Sequence, residues 1–169
     1  FGYEVNPFTG GYNNFLAIND FISSDLVMTA HLDTCKVLLT VSNRGYSNHE
    51  IFFTSEPDVE RNLIDSLRSV LMKSGADGID LNFEDFPLYY KSHFIEFVKE
   101  LSFSLREDNH DYTISMSVPI YDVDNVYDLD KLKPWVDLFV INSFNFHIKP
   151  TEVQEGPLSP LLATDASIR

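Results

Sequence analysis

The octet Asp77-Gly78-Ile79-Asp80-Leu81-Asn82-Phe83-Glu84 alternates polar and apolar residues from Ile79 onward. In an extended chain Asp80, Asn82 and Glu84 share one face, and Ile79, Leu81 and Phe83 the other. At ~3.3 Å per residue, Asp80 and Glu84 stand roughly 13 Å apart along the strand. A carboxyl at the end of such a row, above polar partners, suits a general acid for a glycosidic oxygen. A row of structural polar groups satisfied inside a barrel fits the spacing equally well. Asp85 points to the opposite face and is expected to serve a loop. The usual signatures of other chemistries are missing. No G-x-S-x-G, Walker loop or G-x-G-x-x-G occurs. His31, His49, His93, His110 and His147 are scattered without ligand spacing. The acidic stretch Asp122 to Asp130 lacks the closing Glu of a twelve-residue calcium loop. Neither a protein-bound metal nor a cofactor is expected.

Composition narrows the partners. Twelve Lys and Arg against 26 Asp and Glu give a formal net charge of −14. Such a chain repels phosphate backbones, so nucleic acid is excluded as an expected partner, and anionic membrane surfaces with it. No apolar run approaches the ~20 residues of a membrane helix. The single Cys35 excludes an internal disulfide framework. With 44% hydrophobic residues, the 169-residue chain can bury a core, and it reads as one domain, 1–169. Both ends read as cuts, since the chain starts at Phe1 without a leader and stops at Asp165-Ala166-Ser167-Ile168-Arg169.

The elements that must hold the octet alternate in type. Strands are predicted at Lys36–Ser42, Gly78–Glu84, Tyr112–Val118 and Asp137–Phe144, with a fifth ending near Phe1–Val5. Helices are predicted at Ser23–Thr34 with a serine cap, Pro57–Ser74, Pro87–Arg106 and Leu129–Trp135. Strand-helix alternation means a parallel sheet, either doubly wound or a (β/α)8 barrel. In an open sheet the polar row of Asp80, Asn82 and Glu84 would lie under a helix, whereas a barrel interior accepts polar groups near its mouth, so the barrel is preferred. Glu84 then lies at the C-terminal rim, where barrel enzymes place their chemistry. Ser42 to Tyr46 is expected as a mouth loop with an exposed Arg44, and Trp135 as packing.

The octet resembles the D-G-x-D-x-D-x-E signature of glycoside hydrolase family 18, the chitinases and endo-β-N-acetylglucosaminidases, matching at Asp77, Gly78, Asp80 and Glu84. Lys36 to Gly45 is similar to the family's third-strand segment, Tyr112 to Pro119 to the fifth, Val136 to His147 to the sixth, and Phe1 to Gly10 to the end of the second. The resemblance implies a TIM barrel of which this chain covers roughly strands 2 to 6. The remainder of the barrel would come from the parent chain. It also implies a substrate containing N-acetylglucosamine, joined by β-1,4 linkages, in chitin oligomers, the N-glycan chitobiose core or peptidoglycan. Glu84 would be acid and base in a substrate-assisted retaining mechanism, with the sugar's own acetamido group attacking. Asp80 and Asn82 would complete the catalytic set. Tyr3, Tyr121, Asn142, Phe144 and Asn145 would meet substrate, with an ordinary packed tyrosine an equal reading for Tyr3 and Tyr121. The place of action implied is extracellular, periplasmic or cell-surface.

The sequence also departs from the family. Asn82 stands for the motif's third aspartate, Phe144 for a tyrosine, Asn145 for an aspartate and Asn142 for a methionine. An amide can accept an acetamido N–H but cannot bring full negative charge to an oxazolinium, and charge-assisted bonds are about twice as strong. Phe144 offers no hydroxyl. The chain therefore reads as a glycosidase of reduced activity, or as a catalytically silent glycan-binding relative. Retention of Glu84 argues for the enzyme.

Overall fold

The computed structural model describes residues 2–55, 58–120, 122 and 125–143. Five strands, β1 (Gly2–Glu4), β2 (Leu38–Arg44), β3 (Gly78–Glu84), β4 (Thr113–Pro119) and β5 (Leu138–Asn142), form one parallel sheet in chain order. A doubly wound sheet reverses its strand order at a switch point. Among the described strands there is no reversal. Right-handed crossovers between neighbouring parallel strands put the helices on one side, as in consecutive units of a (β/α)8 barrel. The helices pack in a single layer, with α1 (Phe15–Ser23), α3 (Tyr46–Thr54), α4 (Asp58–Ser74), α5 (Lys91–Asp108) and α6 (Leu129–Leu132) touching their neighbours along it.

The two long helices follow from their patterns. In α4, Val59, Leu63, Ile64, Leu67, Val70 and Leu71 are buried at helical spacing, with Asp58 and Glu60 in the first turn and Lys73 in the last, as the helix dipole favours. Gly75, at φ +71°, ends it. In α5, Phe94, Phe97, Val98, Leu101 and Leu105 form the buried stripe. A single 3₁₀ turn, Leu88–Tyr90, leads into α5.

Two helices were not foreseen. The predicted helix Ser23–Thr34 is present as the shorter α2 (Leu26–Leu32), capped at Asp25 and not at a serine, and α1 precedes it unforeseen, the two being separated by Ser24, whose extended ψ of 155° breaks the run. The expected mouth loop at Ser42 to Tyr46 is instead strand up to Arg44, then Gly45 at φ +91°, then α3. The buried positions of α3 are His49 and Phe52, so half of its inward face is polar in sequence and the helical period is hidden.

The β3 register explains the octet's alternation. Its apolar side chains Ile79, Leu81 and Phe83 are at most 1% exposed and face the helices. Behind them lies an aromatic cluster. Phe83 contacts the rings of Phe52, Phe94 and Phe97, while Phe86 contacts Phe53 and Phe94. Burying each such ring stabilises the fold by about 1.5–3 kcal/mol and leaves the strand little freedom to shift. Gly78 is needed where it stands: at φ +147°, a Cβ there would lie 1.9 Å from the Thr113 carbonyl oxygen of β4. Trp135 is partly buried against the core and touches Phe103, as expected of a packing residue. Among the described residues, no helix is long and apolar enough to cross a membrane.

Candidate active site

Glu84 is the last residue of β3, at the C-terminal edge of the sheet, and its side chain is 34% exposed. Its carboxylate is held from two sides. Asn82 Nδ2 donates to Oε1 at 3.0 Å, and Arg44 Nη2 lies 2.8 Å from Oε2. Both contacts follow from the sheet. Asn82 precedes Glu84 by two residues on the same face, and Arg44 is its register partner on β2. The Arg44 side chain is 69% exposed, so this ion pair is a rim contact of small net stability and adjustable geometry. The amide oxygen of Asn82 is shielded from solvent and has no hydrogen-bond partner among the described residues.

Asp80 lies deeper on the same face. Its carboxylate accepts from Ser115 Oγ at 2.6 Å and from Ser117 Oγ at 3.3 Å, both on β4. Ser115 is its register partner, and Ser117 follows two residues on. Asp80 is thus tied across the sheet to β4, while Asn82 is tied along the strand to Glu84. The inner face carries a polar floor and, above it, an acid with one open side.

The other expected contacts divide. Asn142 ends β5, opposite Pro119 and on the same face as Ser115 and Ser117, half-buried at the rim. Tyr3 is different, and its expected role in meeting substrate is corrected. It pairs with Val41, whose partner is Leu81, so it lies on the helix-facing side of the sheet. It is fully buried, donates to the Gly10 carbonyl at 3.0 Å and bonds Ser66 Oγ of α4 at 2.8 Å. Burial pushes its phenol up to about 12. A shift by one residue along a strand turns a side chain to the other face, and Glu4, not Tyr3, has the inward parity. Tyr121, Phe144 and Asn145 lie outside the described residues.

The sequence reading passed over three residues that touch this edge. His49 is fully buried. Its Nε2 donates to the Glu84 carbonyl at 2.7 Å, and its Nδ1 accepts from Asn43 Nδ2 at 3.2 Å. Burial holds the imidazole below its usual range, outweighing the Glu84 hydrogen bond and the Asp85 charge, so it is the neutral Nε2–H form. Tyr127 donates its hydroxyl to the Phe83 carbonyl. Burial pushes this phenol well above the usual tyrosine range, with the charges of Asp122, Glu84 and Asp85 adding to it. Asn43 is 3% exposed. None of these has a signature in spacing; the only signal was a histidine four residues after Gly45.

A sequence profile described as Glycosyl hydrolases family 18 matches residues 15–169. No curated protein sequence matches significantly. Solved structures share the fold. The chain is similar to ydhD of Bacillus subtilis, named a sporulation-specific glycosylase, at TM-score 0.76 and 23% identity, covering 95% of this chain and 53% of that one. It is similar to the Group IV chitinase of Ostrinia furnacalis, solved with allosamidin, at TM-score 0.74 and 18% identity, covering 99% and 48%. It is also similar to the spore cortex-lytic enzyme SleL of Bacillus cereus, at TM-score 0.72 and 14% identity, covering 87% and 33%. The chain spans about half the length of the first of these, and less of the other two.

Proposed function

Since the chain belongs to glycosyl hydrolases family 18, we propose that it forms the acid-bearing part of a barrel glycosidase that cleaves β-1,4 linkages following N-acetylglucosamine. The substrate is a chitin oligomer, the chitobiose core of an N-glycan or peptidoglycan. Glu84 protonates the glycosidic oxygen as the C1–O bond breaks. The acetamido carbonyl oxygen of the same sugar bonds to C1 and gives an oxazolinium ion. The Glu84 carboxylate then takes a proton from the water that opens it. The protein supplies no nucleophile. Asn82 steadies Glu84 through its amide N–H, and its unpartnered amide oxygen is an acceptor for the acetamido N–H. Asp80, tied to Ser115 and Ser117, keeps the floor of the site in place. Asn142 meets the substrate from the end of β5, and Tyr121, Phe144 and Asn145 are further substrate contacts. The site of action is extracellular or at a cell wall.

The observation that carries this reading is the half-exposed Glu84 carboxylate at the C-terminal rim, oriented by Asn82 and Arg44. A second reading, a weakly active or silent glycan-binding relative, draws on Asn82 in place of an aspartate. The two separate on the complete barrel protein, assayed with an N-acetylglucosamine aryl glycoside and a high-mannose glycoprotein. For the enzyme, Glu84→Gln lowers turnover by about 10²–10⁴-fold with glycan binding retained. Tight glycan binding with no turnover by the unaltered protein would establish the lectin instead.

A further inference from the structure

A side chain leaves the backbone in a direction set by the φ and ψ of its own residue, and therefore by the two peptide planes that flank its Cα. At Glu84 those planes carry the carbonyls of Phe83 and Glu84. Neither is secured by the β3–β4 ladder, whose register ends at Leu81 and Met116. Immediately beyond, Asp85 takes a left-handed φ of +56°, a conformation that a non-glycine residue holds only when its surroundings enforce it. On its β4 side the chain around the proton donor is thus past its pairing, while β2 pairs it as far as Arg44 and Glu84, and a left-handed residue follows at once.

Two buried side chains from separate elements take these two carbonyls. Tyr127, on the segment between β4 and α6, donates to Phe83 O. His49, on α3, donates to Glu84 O at 2.7 Å, where the Gly45 N–H adds a longer bond at 3.3 Å. Each donor is itself fixed. Asn43 holds His49 through Nδ1. The Asp122 carboxylate accepts the Val126 and Tyr127 N–H groups, both at 2.7 Å. The His49 ring lies against Phe83 and Phe86, and the Tyr127 ring against Phe94. We infer that His49 and Tyr127 are positioning residues that clamp the two peptide planes of Glu84 and so aim its carboxyl without touching substrate. A buried carbonyl needs one donor. Donors from opposite sides on the consecutive carbonyls that define one residue's φ and ψ do more, because they leave that residue no soft backbone angle.

The inference rests on the proposed role of Glu84, and its test separates the two. In the complete barrel protein, Tyr127→Phe and His49→Phe keep ring volume and remove the donors, while His49→Gln restores an N–H donor. Each is made in the unaltered protein and in Glu84→Gln. Kinetics are measured on the aryl N-acetylglucosaminide, thermal midpoints are recorded, and crystal structures are determined. Tyr127→Phe and His49→Phe are expected to lower kcat by about 10–100-fold with KM within about twofold, as a misplacement near 1 Å would. His49→Gln recovers most of that loss. In the Glu84→Gln background the same substitutions leave the residual rate unchanged, and in the crystals the Glu84 carboxylate is displaced. Equal losses in both backgrounds, or losses that rise with KM, would make the two residues merely structural. If the unaltered protein turns over no such glycoside, the hydrolase reading fails by itself and the crystals decide the clamp. Glu84 unmoved in both variants would overturn it.

Discussion

The carboxylates at the two rims of the sheet are held in opposite ways. At the N-terminal rim, Asp77 precedes β3 and Asp137 precedes β5, and each makes the same two-way stitch to the strand before. The Asp77 carboxylate accepts the Val37 N–H at 2.7 Å while its own N–H donates to the Val37 carbonyl at 2.8 Å. The Asp137 carboxylate accepts the Ile114 N–H at 2.8 Å while its own N–H donates to the Ile114 carbonyl, also at 2.8 Å. His31 at 2.9 Å and Arg106 at 2.9 Å complete the two sets. At the C-terminal rim, among the described residues, Glu84 receives no backbone N–H on its carboxylate, only the side chains of Asn82 and Arg44. A carboxylate filled by main-chain donors is fixed and cannot transfer protons usefully. One held by side chains can exchange a partner for a substrate. Asp77 and Glu84 belong to the same octet, so on the proposed reading of Glu84 one motif joins a structural end to a chemical end, as barrels do in general.

The sharpest way to break this division is Asp77→Ala. It removes charge-assisted bonds to a backbone N–H and to His31, and is expected to cost about 2–4 kcal/mol of unfolding free energy, read from denaturant midpoints. Turnover per folded molecule should stay as it was. Loss of turnover without loss of stability would erase the contrast between the rims. Asp77 also sets a pH window. Burial pushes its carboxyl up, but the Val37 and His31 hydrogen bonds, with the charges of His31 and Lys36, outweigh this and leave it below its usual 3.8. A depressed folded value means that its stabilisation is present above about pH 4 and is lost as pH falls through the folded value. Asp77→Ala should flatten that acid loss.

Asn82→Asp tests the other rim with a smaller effect. A second carboxylate beside Glu84 makes the two titrate as a pair, since like charges resist joint ionisation. The limb on which activity falls with rising pH should move upward, and turnover should rise about tenfold as negative charge returns to the oxazolinium. A pH–rate profile identical to that of the unaltered protein would show that residue 82 does not govern the acid.

These contrasts were partly legible in the sequence. The octet's alternation placed Asp80, Asn82 and Glu84 on one face because the strand period is fixed, and β3 spans Gly78–Glu84 as read. The helical stripes of α4 and α5 were equally plain, since the residues buried in them are apolar at helical spacing, Ser102 excepted, while Met72 and Phe103 lie off the stripe and are exposed. What stayed hidden was polar burial. His49 and Asn43 lie in the core as hydrogen-bonding groups, so α3 lost its period and the support behind Glu84 lost its signal. Tyr3 failed for a different reason: a three-residue strand has too few positions for its parity to be read, and its face is set only by register with Val41. The stitch by Asp77 could not be inferred either, because its partner is a backbone N–H 40 residues away.

Glu60 sharpens the comparison from outside both rims. It lies in the first turn of α4, half-buried and facing the charge of Glu100 on α5. Burial, and secondarily Glu100, raises its carboxyl from 4.5 to about 7. Here the linkage runs opposite to Asp77. A folded value above the unfolded one means that the neutral acid is favoured in the fold, so its contribution is fully present below about pH 4.5 and is lost as pH rises through about 7. Glu60→Gln keeps the group neutral throughout. Unfolding free energies of the variant and the unaltered protein should coincide near pH 4 and differ by about 1 kcal/mol in favour of the glutamine at pH 8, a figure reduced for the group's partial exposure. A difference independent of pH would mean that Glu60 binds its proton no more tightly in the fold than in the unfolded chain.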